Sequence, residues 1–235
     1  MSGAERAAGR THVGRVRDGN EDAYGLARNA WAVADGLGGH PGGEVASRIA
    51  VDSALRCLQE TSGTSVGSTL LAAFAAAADD IAARVEADPR LTEMATTLVL
   101  AVRDAAGTVH VANLGDSRAY LLAGDDLLQV TRDDNVAERL LAAGALSAEQ
   151  ARTHPGQFSL TKALGHGDRE PTIRRLHEPA GRLLLCSDGL NGELTDDQIH
   201  QLLGSGTAEQ ACDALVTTAL EASGADNVTT VVVDL

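Results

Sequence analysis

Four short apolar runs in this chain each meet an aspartate. Trp31-Ala32-Val33-Ala34 runs into Asp35-Gly36, Val111-Ala112-Asn113-Leu114-Gly115 into Asp116, and Leu183-Leu184-Leu185-Cys186-Ser187 into Asp188-Gly189. Asp226-Asn227 stands directly before the run Val228 to Val233. Runs this short and this apolar read as buried strands. A carboxylate at the end of a buried strand has to be solvated, paired or ligated, because burying it alone costs several kcal/mol. The fold therefore has to bring several strand ends to a place where acids are tolerated.

The rest of the pattern restricts how those strands are arranged. Strands are expected near residues 11–15, 24–27 and 31–34, followed by a helix over about 44–59 and a second over about 68–86 with a stripe of Leu70, Phe74, Ala77, Ile81 and Val85. Two hairpins follow, one turning at Ala105-Ala106-Gly107 and one at Gly124-Asp125. A helix is expected over 135–143 and strands over 172–176 and 182–186. Thr195 with Gln198, and Thr207 with Gln210, have capping-box spacing and open two more helices. Strands come in clusters and helices in pairs, which favours an α+β arrangement of packed antiparallel sheets flanked by helices over a parallel doubly wound sheet. A length of 235 residues suits one such domain over residues 10–235, with residues 1–9 a disordered tail.

Composition narrows the function. The net charge is −14, and of 19 basic residues only Lys162 is a lysine, with no basic cluster, which argues against nucleic acid as partner. Cys57, Cys186 and Cys212 are far apart and sit among apolar residues, as small core side chains of a reducing compartment do. No apolar run approaches the roughly 18 residues that span a bilayer. The N-terminal Met1-Ser2-Gly3-Ala4-Glu5-Arg6 lacks a signal peptide's apolar segment. A cytoplasmic protein with no membrane partner is the expectation.

If the sheets stack, the acids at the strand ends converge on one rim, joined by Glu21 and Asp22 from the Asn20-Glu21-Asp22 stretch. Basic residues near them are few. A divalent hard cation resolves the conflict, and oxygen-rich sites suit Mg²⁺ or Mn²⁺. Gly36, directly after Asp35, lets a backbone carbonyl approach the same ion. Taken singly, an Asp-Gly after a strand is a turn and Glu21-Asp22 a solvated loop. The weight lies in the whole ordered set.

That set resembles the bacterial type 2C, metal-dependent serine/threonine protein phosphatases. The segments that carry the likeness are VGRVRDGNEDAY, VADGLGGHPGGEVAS, ATTLVLAV, NLGDSRAYLL, HPGQFSLTKALG, LLLCSDGL and DNVTTVVV, all in family order over about residues 10–235. The resemblance implies an α/β sandwich of two central antiparallel sheets with helices outside. It implies hydrolysis of phosphoserine and phosphothreonine by in-line attack of a water activated by two Mn²⁺ or Mg²⁺ ions. Asp35 matches the carboxylate bridging the two ions and Gly36 the carbonyl ligand; Glu21 matches a carboxylate on one side, and Asp188 and Asp226 ligands on the other. Asp22 matches a partner of metal-bound water, and Asp116 a residue that with Asp188 holds a third, weaker metal. Arg17 matches the arginine that grips the substrate phosphate, and His40 the general acid. Phosphorylated proteins, substrates of a serine/threonine kinase acting in trans, are the implied partners.

Thr11-His12 stands where many relatives carry Ser-Asp. Ala95 replaces a common glycine. Arg132-Asp133-Asp134-Asn135 stands where a His-Ser pair is common, a departure that bears on substrate choice and on the segment around His154-Pro155, which matches the family's mobile flap. His154 reads as packing within the flap segment, and His110 as a satisfied sheet residue. Two other functions stay open: a catalytically weak relative that binds phosphoproteins or a regulatory partner, and a small-molecule phosphohydrolase. The presence of every carboxylate argues against the first. Neither a GxxxxGK[ST] loop nor a DxDx[TV] nucleophile motif occurs, so nucleotide-hydrolase and aspartyl-phosphate chemistry find no support.

Overall fold

A computed structural model describes residues 7–37, 42–61, 64–166, 169–177 and 179–235. Two antiparallel sheets stack face to face. The first is built from β1 (Ala7–His12) and strands of the second half of the chain. The second begins with the hairpin β2 (Asp22–Ala27) and β3 (Ala30–Leu37). Two long helices follow, α1 (Gly42–Glu60) and α2 (Val66–Ala87), then β4 (Ala95–Thr96), β5 (Leu98–Arg103) and β6 (Val109–Leu114). A second hairpin, β7 (Arg118–Ala123) and β8 (Asp126–Gln129), precedes the short helices α3 (Val136–Ala142) and α4 (Ala148–Thr153). The chain returns through β9 (Thr172–Leu176), β10 (Arg182–Cys186), α5 (Asp188–Asn191), α6 (Asp196–Leu203), α7 (Ala208–Ala222) and β11 (Val228–Asp234). Strand order is β1-β11-β10-β7-β8 in one sheet and β2-β3-β5-β6-β9 in the other, where β4 also pairs with β3.

The period-2 alternation of strand side chains divides the core into layers. Leu183, Leu185, Val231 and Val233 point between the sheets and meet Trp31, Val33, Val99 and Val111. Their neighbours Leu184, Cys186, Val228 and Val232 point outward under Ile199, Leu203, Leu215 and Ala219 of α6 and α7. On the far side Ala32, Ala34, Leu98 and Leu100 pack against Ala50, Val51, Phe74 and Ile81 of α1 and α2. Each central strand is covered on both faces, which is why these strands read as unbroken apolar runs and why the four layers run helix, sheet, sheet, helix. This is the architecture the clustering of strands predicts. Cys186 and Cys212 are buried and Cys57 half-buried, all three free thiols. Burial pushes the Cys186 thiol up to about 12, so it stays an inert core group.

Three expectations need correction. Ala7–Gly9, assigned to a disordered tail, form the start of β1 and pair with Val233–Val231 of β11; residues 1–6 lie outside the described residues. The strand expected over 11–15 ends at His12, after which residues 14–16 turn, with Gly14 at φ +84°. Local propensity misses this strand because its pairing partner is the last strand of the chain. Finally, α2 is long and apolar enough to cross a membrane by length and mean hydropathy alone. It is a core helix here: its buried stripe packs on the α1 layer, and Asp80 accepts hydrogen bonds from Ser53 (2.5 Å) and Arg56 (2.6 Å) of α1.

The helix starts follow the capping chemistry. Thr195 with Gln198 and Thr207 with Gln210 form complete capping boxes on α6 and α7. Ser147 with Gln150 forms a third, on α4. His110 Nε2 lies 3.1 Å from Asp104, and His154 Nδ1 accepts from the Gly156 amide at 2.9 Å. Both histidines are structural, as their contexts suggest.

Candidate metal centre

The acids converge at one end of the sandwich, where the carboxyl-terminal ends of β3, β6 and β10 meet the amino-terminal ends of β2 and β11. Asp22 and Asp35 are direct partners in the β2–β3 ladder. Asp22 is enclosed; its Oδ2 accepts from the Ser187 hydroxyl at 2.7 Å, and its Oδ1 has no hydrogen-bond partner among the described residues. Burial, and then the charges of Asp188 and Asp226, push its pKa up to about 7 against the opposing effects of Thr229 and Ser187. Ser187 is fixed in turn, because its Oγ accepts from the Thr229 amide at 3.0 Å.

Asp35 is held by two threonines. Its amide donates to Thr97 Oγ1 at 2.9 Å, and its carbonyl accepts from the Thr97 amide (2.9 Å) and the Thr96 hydroxyl (2.8 Å). Burial holds its acid well above the carboxylate range, followed by the charges of Asp22, Asp188 and Asp116. Asp35 and Asp188 act on each other, each disfavouring a second negative charge beside it. Asp188 opens α5 directly after β10, and burial followed by Asp226 raises its pKa. Asp116 follows Gly115, whose φ of +108° and close approach to Thr97 only glycine tolerates. Burial, then Asp188 and Asp133, push Asp116 up to about 8.

Glu21 completes the ring through glycine contacts. The Gly36 amide donates to the Glu21 carbonyl at 3.2 Å, and Ser47 Oγ donates to the same carbonyl at 2.5 Å. A Cβ at Gly43 would sit 2.7 Å from Glu21 Oε2, so the carboxylate rests against bare backbone. Arg17 lies at the mouth, its Nη2 donating to Asp226 Oδ2 at 2.8 Å with both side chains about half or one-third exposed. The structure thus gathers Arg17, Glu21, Asp22, Asp35, Gly36, Asp116, Asp188 and Asp226 in one place. His40 lies outside the described residues.

Sequence reasoning overlooks the residues that hold this ring. Asn227 donates from Nδ2 to the carbonyls of Val13 (2.8 Å) and Gly19 (2.9 Å) and accepts the Glu21 amide on Oδ1 (2.8 Å). One buried amide therefore fastens the loop carrying Arg17 and Glu21 to the start of β11. Thr97, Ser187 and Ser47 do similar work. The only local signal is a hydroxyl or amide beside each acid, which is too common to single out.

The donor set suits hard divalent cations. Asp22 is buried and Asp35, Asp116 and Asp188 are half-buried, and the cations whose charges oppose these upward shifts are Arg118 beside Asp116 and Arg17 and Arg118 beside Asp188. The orphaned Asp22 oxygen and the upward shifts of the four acids mark the missing positive charge. Among the described residues no three acid, histidine or cysteine groups form a ready cage. Mg²⁺-like ions keep several waters and take few protein ligands, so separate carboxylates with a backbone carbonyl are an adequate set. A cleft of about 1210 Å³ opens elsewhere, beside Arg10, Tyr24, Arg28 and Arg182, and none of the acids of the ring lines it.

A four-layer sandwich with an acidic metal rim between its sheets defines a class of metal-dependent phosphatases. The sequence profile of the Protein phosphatase 2C family matches residues 8–227, and the chain belongs to that family. It is 37% identical over 231 residues to the serine/threonine protein phosphatase PstP of Mycobacterium tuberculosis, covering 98% of this chain and 45% of that protein. The chain thus spans under half the length of PstP. It is 35% identical to the serine/threonine phosphatase Stp of Listeria monocytogenes over 96% of this chain and 94% of that one. The crystal structure of M. tuberculosis PstP superposes with a TM-score of 0.91, covering 97% of both chains at 37% identity. The PstP catalytic domain in complex with two manganese ions superposes at 0.87, with 36% identity over 97% of this chain and 96% of that one.

Proposed function

We propose that this chain is a divalent-metal-dependent phosphoprotein phosphatase that hydrolyses phosphoserine and phosphothreonine. The observation that carries this reading is the convergence of the carboxylates around the buried Asp22, with its raised pKa and its orphaned oxygen. The names of PstP and Stp and the two manganese ions of the PstP catalytic domain support it. Asp35 is assigned to both ions, the Gly36 carbonyl as a backbone ligand, Glu21 to one side, and Asp188 and Asp226 to the other. Asp116 with Asp188 is assigned to a third, weaker ion, and Asp22 to holding water from behind the ring.

Two Mn²⁺ or Mg²⁺ ions supply Lewis acidity there, lowering the pKa of water and offsetting charge on the phosphoryl oxygens. The chain's own residues do the rest. Arg17 leaves Asp226 to place its planar fork on the phosphate and orient it toward the ring. His40, in the glycine-rich sequence that follows Leu37, gives its proton to the seryl or threonyl oxygen as the P–O bond breaks. Substrate proteins are phosphorylated by a kinase acting in trans.

The test is phosphate release from phosphoserine and phosphothreonine peptides and from small phosphate esters, with Mn²⁺ and after chelation. Turnover of the peptides that vanishes on chelation and returns with Mn²⁺ is expected. Full turnover without metal, or peptide binding without turnover, overturns the reading.

A further inference from the structure

The stretch Arg132–Asn135, which departs from the family pattern, is bonded through Arg132, Asp133 and Asp134 to β6, β7 and the turn between them that carries Asp116. Asp134 grips both peptide groups of Gly115: its amide donates to the Gly115 carbonyl at 2.9 Å, and its Oδ2 accepts the Gly115 amide at 3.1 Å. Asp133 takes a two-point fork from Arg118, with Nε to Oδ1 at 2.9 Å and Nη2 to Oδ2 at 2.8 Å. The Arg132 carbonyl accepts from Asn113 at 3.0 Å. Asp116 is therefore bracketed, its preceding residue held by Asp134 and the first residue of β7 held by Asp133. Ser117 between them meets Thr97 at 2.7 Å, and Thr97 is the residue that holds Asp35.

The same stretch anchors the segment that follows. Asn135 caps α3 by accepting the Glu138 amide at 2.9 Å, the Asp134 carbonyl accepts the Thr161 amide at 2.7 Å, and Val136 donates to Ser159 at 2.9 Å. One face of the stretch fixes the Asp116 turn, and the other fixes both ends of the α3–α4 segment.

We propose that Asp134, backed by the Asp133–Arg118 pair, is a positioning residue for Asp116, so that the cation site on Asp116 is set from the α3–α4 segment. This rests on the assignment of Asp116 to a third ion. A hold on the two peptide groups that flank Gly115 fixes the direction in which the next side chain leaves the backbone. Loss of such a support costs about 10- to 100-fold in metal affinity where it has been removed from other sites. Asparagine at 134 keeps an oxygen for the Gly115 amide, whereas alanine does not.

Mn²⁺ titration by calorimetry on the wild type, Asp116→Ala, Asp134→Ala and Asp134→Asn tests this. Asp116→Ala should abolish the weakest binding step, Asp134→Ala should weaken that step at least about tenfold while sparing the tighter ones, and Asp134→Asn should restore it. If Asp116→Ala keeps every step, the third-ion assignment fails and the proposal with it. If Asp116→Ala loses the step but Asp134→Ala does not weaken it, or Asp134→Asn is as weak as Asp134→Ala, the positioning role alone is overturned. Hydrogen exchange on the wild type needs no variant to fold: the Gly115 amide should be as protected as those of β6, and free exchange there overturns the clamp.

Discussion

Asp22 and Asp35 sit opposite each other in the β2–β3 ladder, and after burial the charge of Asp22 is the largest influence holding Asp35 protonated. Two acids in facing positions of a buried hairpin repel, and like charges directly opposite weaken a sheet. The hairpin tolerates them because one or both can hold a proton, or because a cation can replace it.

That trade makes metal-free stability depend on pH. The unfolded chain loses these protons near 3.8, whereas the folded chain keeps those of Asp22 to about 7 and Asp116 to about 8. Between those limits the folded state binds more protons, so stability falls as pH rises. In chelator, the melting temperature should drop from about pH 4 toward pH 8. Saturating Mn²⁺ should remove the decline at the upper end. A flat profile in chelator would show that the ring ionises without cost.

Asp35→Asn should separate activity from stability. Removing the acid assigned to both ions should cut kcat by more than about tenfold, a barrier increase above about 1.4 kcal/mol. It also replaces an acid that the metal-free ring forces to take up a proton with a neutral amide, so the metal-free variant should melt higher than wild type at pH 7. A variant that is both active and less stable would place Asp35 outside the metal centre.

Arg17 and Asn227 should behave oppositely. The Arg17–Asp226 pair is largely exposed, so Arg17→Ala should cost under about 1 kcal/mol of stability but raise KM for phosphate esters. Asn227 is buried and satisfies three backbone groups, so Asn227→Ala should cost about 3 kcal/mol. Denaturant unfolding beside steady-state kinetics reads both. An unchanged KM in Arg17→Ala would withdraw that residue from phosphate binding.

His40→Ala should discriminate between leaving groups. A proton donor matters for a seryl alkoxide and little for p-nitrophenolate, and such donation is worth about 10²–10⁴-fold. Phosphoserine peptides should slow at least tenfold more than p-nitrophenyl phosphate. Equal losses on both would reduce His40 to a structural part of the glycine loop.

Much of this molecule is written locally. A strand covered on both faces must be apolar throughout, so Trp31–Ala34 and Leu183–Cys186 announce themselves, and the acid that ends each run has to sit at the rim where the layers open. Capping boxes at Thr195 and Thr207 mark helix starts because their hydrogen bonds span three residues. What sequence alone leaves undetermined is non-local. Ala7–Gly9 become a strand only because β11 offers a free edge at the other end of the chain. Asn227 becomes the clasp of the Arg17–Glu21 loop, and Asp134 that of the Asp116 turn, only when folding brings distant carbonyls and amides within 3 Å or so of them. Periodicity records which face of an element is dry; it carries no record of which remote backbone group a buried polar side chain will meet, and here those meetings aim the acids.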